Sequence, residues 1–236
     1  MTDVNHLKSQ AALKAVEFVE SGMVLGLGTG STSFYALQEI GKRIRDRKLK
    51  SIIGIPSSIK AAQHARKLGI PIGSLNDHPV IDLTIDGADE VDPNLNLIKG
   101  GGGALLREKI LAQNSRKVVI IVDESKLSPV LGVKRDVPIE TIPFSYRPIL
   151  NYIESLDSSA KLRKKERGLP FETDQGNYII DCKFGPIAKP LQLAEKLKQK
   201  AGIVEHGLFL GLATDVIVAG ENGIQHIIAE REGHSE

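Results

Sequence analysis

The chain has 236 residues, of which 41% are hydrophobic and 4% aromatic with no Trp, a formal net charge of +2, and one cysteine. That length and apolar content suit one large or two small globular domains with a real core, and the near-neutral charge with few aromatics argues against polynucleotide binding. A lone Cys182 excludes an internal disulfide framework and fits a packed residue in a reducing compartment.

Met1–His6 lacks a basic start followed by an apolar run, and no stretch is long enough to span a membrane, so a cytoplasmic protein is expected. Leu7, Ala11, Ala15, Phe18 and Val19 have the spacing of an amphipathic helix over residues 6–20, ending near Ser21-Gly22. Met23–Leu27 then reads as a short buried strand, followed directly by Gly28-Thr29-Gly30-Ser31-Thr32 and by a helix with Phe34, Leu37 and Ile44 on its apolar face. A strand, a small hydroxyl-rich turn and a helix start aim backbone N–H groups, hydroxyls and the helix dipole at an anion, so the turn reads as a phosphate cradle. Its obvious rival is a dinucleotide fingerprint, because Gly26-Leu27-Gly28 opens like G-x-G-x-x-G, but Ser31 stands where the last glycine belongs. The P-loop pattern also fails, since no Gly-Lys-Ser/Thr follows, and a plain tight turn does not require so many hydroxyls.

Ser51–Ile55 reads as the next strand, and Pro56-Ser57-Ser58 opens a helix with Ala61, Ala62, Ala65 and Leu68 inward and Ser57 or Ser58 as its N-cap. Gly69–Ile72 is predicted as a short edge strand, since Pro71 removes a ladder donor. The richest stretch runs from Asp82 to Lys109. Val80, Ile81, Leu83 and Ile85 mark a buried strand that ends on the acidic turn Asp86-Gly87-Ala88-Asp89-Glu90. Leu95, Leu97 and Ile98 lead to Lys99, then to Gly100–Gly103 and the helix-forming run Ala104–Ile110. Consecutive glycines add backbone entropy to the unfolded chain and no packing to the folded one, so this loop calls for close backbone approach or positive φ, with something small and polar against it. Glu108 would ordinarily be a solvated helix charge, but it lies off the Leu106/Ile110 row and could be aimed into a cleft. Asp82, inside the strand pattern, receives no role.

Lys117–Val122 is a further apolar strand, closing on Asp123-Glu124-Ser125-Lys126. Alternating strands and helices predict an α/β fold with a doubly wound, mostly parallel, Rossmann-like sheet, whose ligands sit beyond the carboxyl ends of the strands. One rim could then hold the Thr29–Thr32 turn, Asp86–Asp89 and Lys126. From Pro129 the style changes: strand Val137–Ile142, helix Pro148–Leu156, a charged run Lys161–Arg167 read as a solvated helix face, strand Tyr178–Cys182 and helix Pro190–Lys200. These predict a smaller α+β domain over residues 133–208, with 1–132 plus 209–236 forming the Rossmann-like domain. Thr214–Ala219 and Ile224–Ile228 read as a hairpin turning on Asn222-Gly223.

Taken as chemistry, the parts are an anion cradle, the carboxylates Asp86 and Asp89, Lys99, a glycine loop, Glu108 and Lys126. No His/Cys cluster has metal-ligand spacing, although Asp86 and Asp89 could hold Mg²⁺ together with a phosphate. The set best fits acid–base work on a phosphorylated small molecule, in which a carboxylate removes a proton and a cation or N–H group holds the developing oxyanion. A sugar-phosphate sensor could share the phosphate turn but would normally need a DNA-binding helix-turn-helix. An amino-sugar-phosphate deaminase could share it too, with a different acid–base set.

The motifs Gly28–Thr32, Asp86–Glu90, Lys99–Gly102 with Arg107-Glu108-Lys109, and Asp123–Lys126, in this order, resemble ribose-5-phosphate isomerase of the A type over nearly the whole chain. The sequence departs from that pattern at Gly103, where many relatives carry alanine. The resemblance implies interconversion of ribose 5-phosphate and ribulose 5-phosphate in the pentose phosphate pathway without metal or organic cofactor. It implies that Glu108 is the general base at C2, that Asp86, Asp89 and Lys99 handle ring opening and the enediolate, and that Thr29, Gly30, Ser31, Thr32 and Lys126 hold the substrate together with Gly87, Ala88, Gly100, Gly101 and Gly102. It also implies a homodimer or homotetramer, for which the apolar stretch Gly207–Leu212 is a candidate contact, with a sugar phosphate as small-molecule partner and neither nucleic acid nor membrane.

Overall fold

The computed structural model describes residues 3–230. Residues 1–2 of the segment inspected for a leader, and 231–236 of the predicted return to the first domain, lie outside the described residues.

Helix α1 (Val4–Val16) starts at Asp3, whose carboxylate accepts from Asn5 N–H, and it stops before the predicted Ser21-Gly22. Phe18 and Val19 still pack against the core beyond the helix end, so their apolar spacing reports burial without helix. There follow β1 (Val24–Leu27), α2 (Ser31–Arg45), β2 (Ile53–Pro56), α3 (Ile59–Lys67) and β3 (Ile81–Gly87). Ser58 is the N-cap of α3, its hydroxyl accepting from Ala61 N–H. The predicted edge strand at Gly69–Ile72 shrinks to a single bridge between Gly54 and Ile72, Pro71 having no N–H to extend it. The chain continues through β4 (Glu90–Val91), β5 (Leu97–Ile98), α4 (Leu105–Gln113) and β6 (Ser115–Asp123).

A second set of elements comprises β7 (Val137–Thr141), α5 (Tyr146–Glu154), β8 (Ser159–Leu162), β9 (Tyr178–Lys183), α6 (Pro190–Gln199) and β10 (Ile203–His206). The last are β11 (Leu208–Phe209), β12 (Asp215–Gly220) and β13 (Gly223–Ile228). The main sheet has the order β13-β12-β6-β3-β1-β2, all neighbours parallel except the β12–β13 hairpin. This is a doubly wound sheet whose direction of winding reverses between β1 and β3, and ligands of such sheets sit outside that switch point. Val119 and Ile121 of β6 face the α1/α2 core, while Val118, Ile120 and Val122 face a second core with Phe209 and Ala112. Burial on both faces explains why this strand reads as a continuous apolar run.

The antiparallel sheet β10-β7-β9-β8 carries α5 and α6, and a small sheet β11-β5-β4 joins the two systems. The charged run Lys161–Arg167 is no helix. It starts in β8, with Lys161 opposite Asp181, and ends in a 3-10 turn at Glu166–Gly168 where Arg167 has φ 66°. Charges on alternate strand positions mimic a helix face when only the composition is read. Within the Gly207–Leu212 stretch Leu208 and Phe209 are buried in the chain, while Leu210 and Leu212 are half-buried. In the final hairpin Gly220 pairs with Gly223, so Glu221 and Asn222 form the turn, one residue earlier than predicted, and Gly223 takes φ +107°. No helix among the described residues is long and apolar enough to cross a membrane.

Candidate active site

The ends of β1 and β3 meet at the switch point because Gly28 has no side chain. A Cβ there would stand 2.2 Å from Asp86 Oδ1 and 2.6 Å from the Ile85 carbonyl oxygen. The Asp86 carboxylate uses that room to accept from Thr29 N–H (3.1 Å), the Ser33 hydroxyl (3.1 Å) and Gly87 N–H (2.8 Å), all on Oδ1. Its other oxygen, Oδ2, lies 3.0 Å from Lys99 Nζ. Asp86 therefore ties the phosphate-cradle turn to the lysine. Asp82, two turns of the pleat earlier, is structural: it accepts from Val24 N–H at 2.9 Å and pairs with Arg116.

Lys99, 4% exposed, also donates to the Gly87 carbonyl at 2.6 Å and stands 3.4 Å from Glu108 Oε2. Burial alone would lower its pKa, but Asp86, Glu108 and Asp89 together outweigh burial and raise it, so the ammonium stays charged. Glu108 is 5% exposed on the inner face of α4, which is built from Leu105, Glu108, Lys109 and Ala112. The Leu106/Ile110 row, off which Glu108 lies, is half-buried to exposed. Burial raises the Glu108 pKa to about 8, against the pull of Lys99 and with help from Asp86 and Asp89. Its Oε2 is buried and makes no hydrogen bond, with the Lys99 ammonium 3.4 Å away as its ion-pair partner. An acceptor oxygen left open in a charged, enclosed setting is equipped to take a proton from a bound molecule.

Asp89 Oδ2 accepts from Gly101 N–H at 2.8 Å, and a Cβ on Gly101 would stand 2.9 Å from that carboxylate. Gly100 and Gly103 carry positive φ, and a Cβ at Gly103 would meet the Phe171 ring at 2.4 Å. The glycine at the position that departs from the family pattern thus has a local reason in this chain.

Every residue singled out from the sequence except Asp86 lines one cavity of about 120 Å³, and Asp86 stands behind it. A larger cavity of about 380 Å³ lies across the same turn, among Phe34, Tyr35, Leu37 and Ala61, but no carboxylate lines it. The smaller one holds Asp89, Lys99 and Glu108. Thr29 lines it, with its hydroxyl bonded to Ser57 and Ser58, each at 2.7 Å, so that this side chain joins the turn to the cap of α3. Lys8 of α1, unnoticed in the sequence, lines the cavity and donates to the Ser31 hydroxyl at 3.0 Å. Ser33, also missed, lines it too. Neither residue carries a local signal: a lone lysine on an amphipathic helix looks like a solvent charge, and Ser33 lies just past the motif. Among the described residues no group of three or more His, Cys, Asp or Glu side chains is placed to hold a metal ion.

A hydroxyl-rich turn at a helix start and a buried carboxylate beside a charged lysine, set at the switch point of a Rossmann-like sheet, suit an enzyme that moves protons on a sugar phosphate. Comparison with known proteins gives the particular kind. Residues 53–223 match the family model described as ribose 5-phosphate isomerase A (phosphoriboisomerase A), and the chain belongs to that family. The chain is 53% identical to ribose-5-phosphate isomerase A of Chloroflexus aurantiacus over 96% of its own length and 95% of the relative's. It is 52% identical to the protein of the same name from Desulfatibacillum aliphaticivorans, over 97% and 100%. Among solved structures, ribose 5-phosphate isomerase from Plasmodium falciparum superposes with TM-score 0.93 at 42% identity, over 96% of this chain and 100% of that one. The family model starts beyond the Gly28–Thr32 turn, but the full-length relatives span it.

Proposed function

We propose that the cavity is where this isomerase interconverts D-ribose 5-phosphate and D-ribulose 5-phosphate, in the non-oxidative branch of the pentose phosphate pathway, and that Glu108 is its base. The observation that carries the assignment is the buried Glu108 Oε2, without a hydrogen-bond partner and 3.4 Å from the Lys99 ammonium. The 5-phosphate lies on the backbone donors and hydroxyls of Gly30–Thr32, with Lys8 and Lys126 as counter-charges. Asp86 and Asp89, with Lys99, handle ring opening. Glu108 then takes the C2 proton of the open aldose, the electrons move toward the C1 oxygen, and the enediolate is held by Lys99 and by N–H groups of the glycine loop other than that of Gly101, which is bonded to Asp89. Return of the proton to C1, with transfer of the O2 proton to O1, gives the ketose.

Lys99 already places a cation between Asp86 and Glu108, so the reaction is expected to need neither metal nor organic cofactor. Exhaustive chelation should leave activity intact. A smaller α+β domain over residues 133–208, a homodimer or homotetramer, and a cytoplasmic location complete the reading; sedimentation at micromolar concentration tests the assembly. The test of the activity is formation of ribulose 5-phosphate by the wild type in D₂O. Solvent deuterium on the reacting carbon supports the enediolate route, and a direct hydride shift with no exchange under any condition rejects it.

A further inference from the structure

The run Lys161–Arg167 contains a side chain with a defined task. The Arg163 guanidinium forks onto Asp181: Nε donates to Oδ2 at 2.9 Å, and Nη2 pairs with Oδ1. Its third nitrogen, Nη1, donates to two consecutive carbonyls of the glycine loop, Gly100 and Gly101, both at 3.1 Å. The backbone of Arg163 is fixed as well, its N–H bonding Ile179 O and its carbonyl accepting from Phe171 N–H, each at 2.8 Å. The Phe171 ring in turn fills the space beside Gly103. One segment thus holds both ends of the loop.

In a trans peptide the C=O and N–H of one unit point in opposite directions. Fixing the Gly100 carbonyl on Arg163 sends Gly101 N–H the other way, where it meets Asp89 Oδ2 at 2.8 Å. Fixing the Gly101 carbonyl likewise sends Gly102 N–H away from Arg163. Gly102 lines the catalytic cavity, and its N–H donates to no group among the described hydrogen bonds. A chain of glycines has no side chains of its own to choose among peptide orientations, so an outside group must do it.

We propose that Arg163 is a positioning residue that orients the 101–102 peptide so that Gly102 N–H is presented to a substrate oxygen on which negative charge develops. The inference rests on the isomerase reading above. Arginine suits the task because its planar fork serves Asp181 and the loop at once, which an ammonium cannot reproduce. A donor aimed at developing charge acts on kcat more than on KM, and a misaligned one loses part of the ~10²–10³-fold that such donors contribute.

The experiment compares wild type with Arg163→Lys, Arg163→Ala and Asp181→Asn in steady-state kinetics, with inorganic phosphate as a competitive inhibitor reporting on the Gly30–Thr32 turn alone. Arg163→Lys is expected to lower kcat about 10- to 100-fold with KM changed less than about threefold and phosphate inhibition unchanged. Guanidinium ion added to Arg163→Ala should restore part of kcat, whereas a residue that merely holds the fold shows no such rescue. Asp181→Asn keeps the shape of the fork and should give a milder loss of kcat, which keeps the proposal testable if the arginine variants fold poorly. Unchanged kcat in Arg163→Lys and Asp181→Asn, a loss confined to KM, or phosphate inhibition weakened in parallel with kcat overturns the proposal. A wild type inactive on ribose 5-phosphate would instead overturn the assigned reaction.

Discussion

Glu108 and Lys109 are neighbours on α4, both 5% exposed, and both sit in charged clusters beside the Phe209 ring, whose centroid lies 5.5 Å from Lys99 Nζ and 4.9 Å from Lys109 Nζ. Their surroundings differ in one respect. Lys109 Nζ has all its protons placed: Glu205 Oε1 at 2.8 Å, the His206 carbonyl at 2.6 Å and His206 Nδ1 at 3.3 Å. Burial lowers the Lys109 pKa to about 8 despite Glu205, and against its own burial Glu205 is held down to about 2 by Lys109, the His206 N–H and Lys198 together, so both are charged at neutral pH. His206, whose pKa falls to about 3 through burial and the nearby Lys109, is neutral and can accept at Nδ1. The Glu108 cluster keeps an open oxygen and the Lys109 cluster keeps none. Burial of charge by itself does not mark a catalytic group; an unmet hydrogen-bonding capacity facing a cavity does.

The largest effect expected from this contrast is on Glu108→Gln, which keeps the shape and removes the base. Its kcat should fall by on the order of 10² to 10⁴, with little change in KM. Near-normal kcat would erase the distinction between the two clusters. Lys109→Met should behave in the opposite sense. It leaves Glu205 with only Lys198 as ion-pair partner, and removing one member of a buried pair costs about 3–5 kcal/mol of stability. Denaturant unfolding should register that loss, while kcat per folded molecule stays within a few-fold of wild type. A collapse of kcat in fully folded Lys109→Met would place Lys109 in the chemistry after all.

The cradle gives the next effect. Replacing Ser31 and Thr32 together by Leu removes two hydroxyls and blocks the approach to the N-terminus of α2. Loss of one or two hydrogen bonds to a charged phosphate, about 1.5–3 kcal/mol each, corresponds to a KM increase of roughly 10- to 100-fold or more. Thr29→Val, by contrast, should act mainly on stability, since that hydroxyl is committed to Ser57 and Ser58. Equal KM effects at Thr29 and Ser31 would undo that separation.

Much of the site was legible because its parts are contiguous motifs at ends of regular elements: a glycine turn between a strand and a helix, an acidic strand end, a lysine before four glycines. The fold class was legible from the alternation of apolar strands and helices. What the sequence hid are contacts made across distance. Lys8 meets Ser31, Ser33 meets Asp86, and Arg163 meets Gly101, pairs separated by 23, 53 and 62 positions. Arg163 was hidden further by lying in a charged run, where strand and helix faces look alike. On α4 two adjacent leucines made the wheel ambiguous: Leu105 faces in and Leu106 lies toward the edge, which decides how deep Glu108 is buried.

The smallest effect tests the same contrast through protons. Glu108, with its pKa raised to about 8, is only partly ionised at neutral pH, and the base must be ionised to act. For the free enzyme kcat/KM should therefore rise with pH, up to tenfold per unit below about 8, and level off above it. Lys99 adds no second limb in this range, because its pKa is raised from an already high value and its charge persists. Lys109 titrates near 8 as well, but its effect has another sign and another readout. Its folded-state pKa lies below the ordinary 10.5, so its contribution to stability is present above 10.5 and is lost as pH falls through about 8. Between those values the unfolded chain holds the proton and the folded one does not, so this group makes stability rise with pH. The rise in kcat/KM should thus survive in Lys109→Met, while that part of the stability profile disappears. A Lys109→Met enzyme whose activity no longer depends on pH between 6 and 9 would assign the limb to the wrong residue, and a wild type with a limb near the ordinary carboxylate value would mean that substrate-free Glu108 is wetter than its 5% exposure implies.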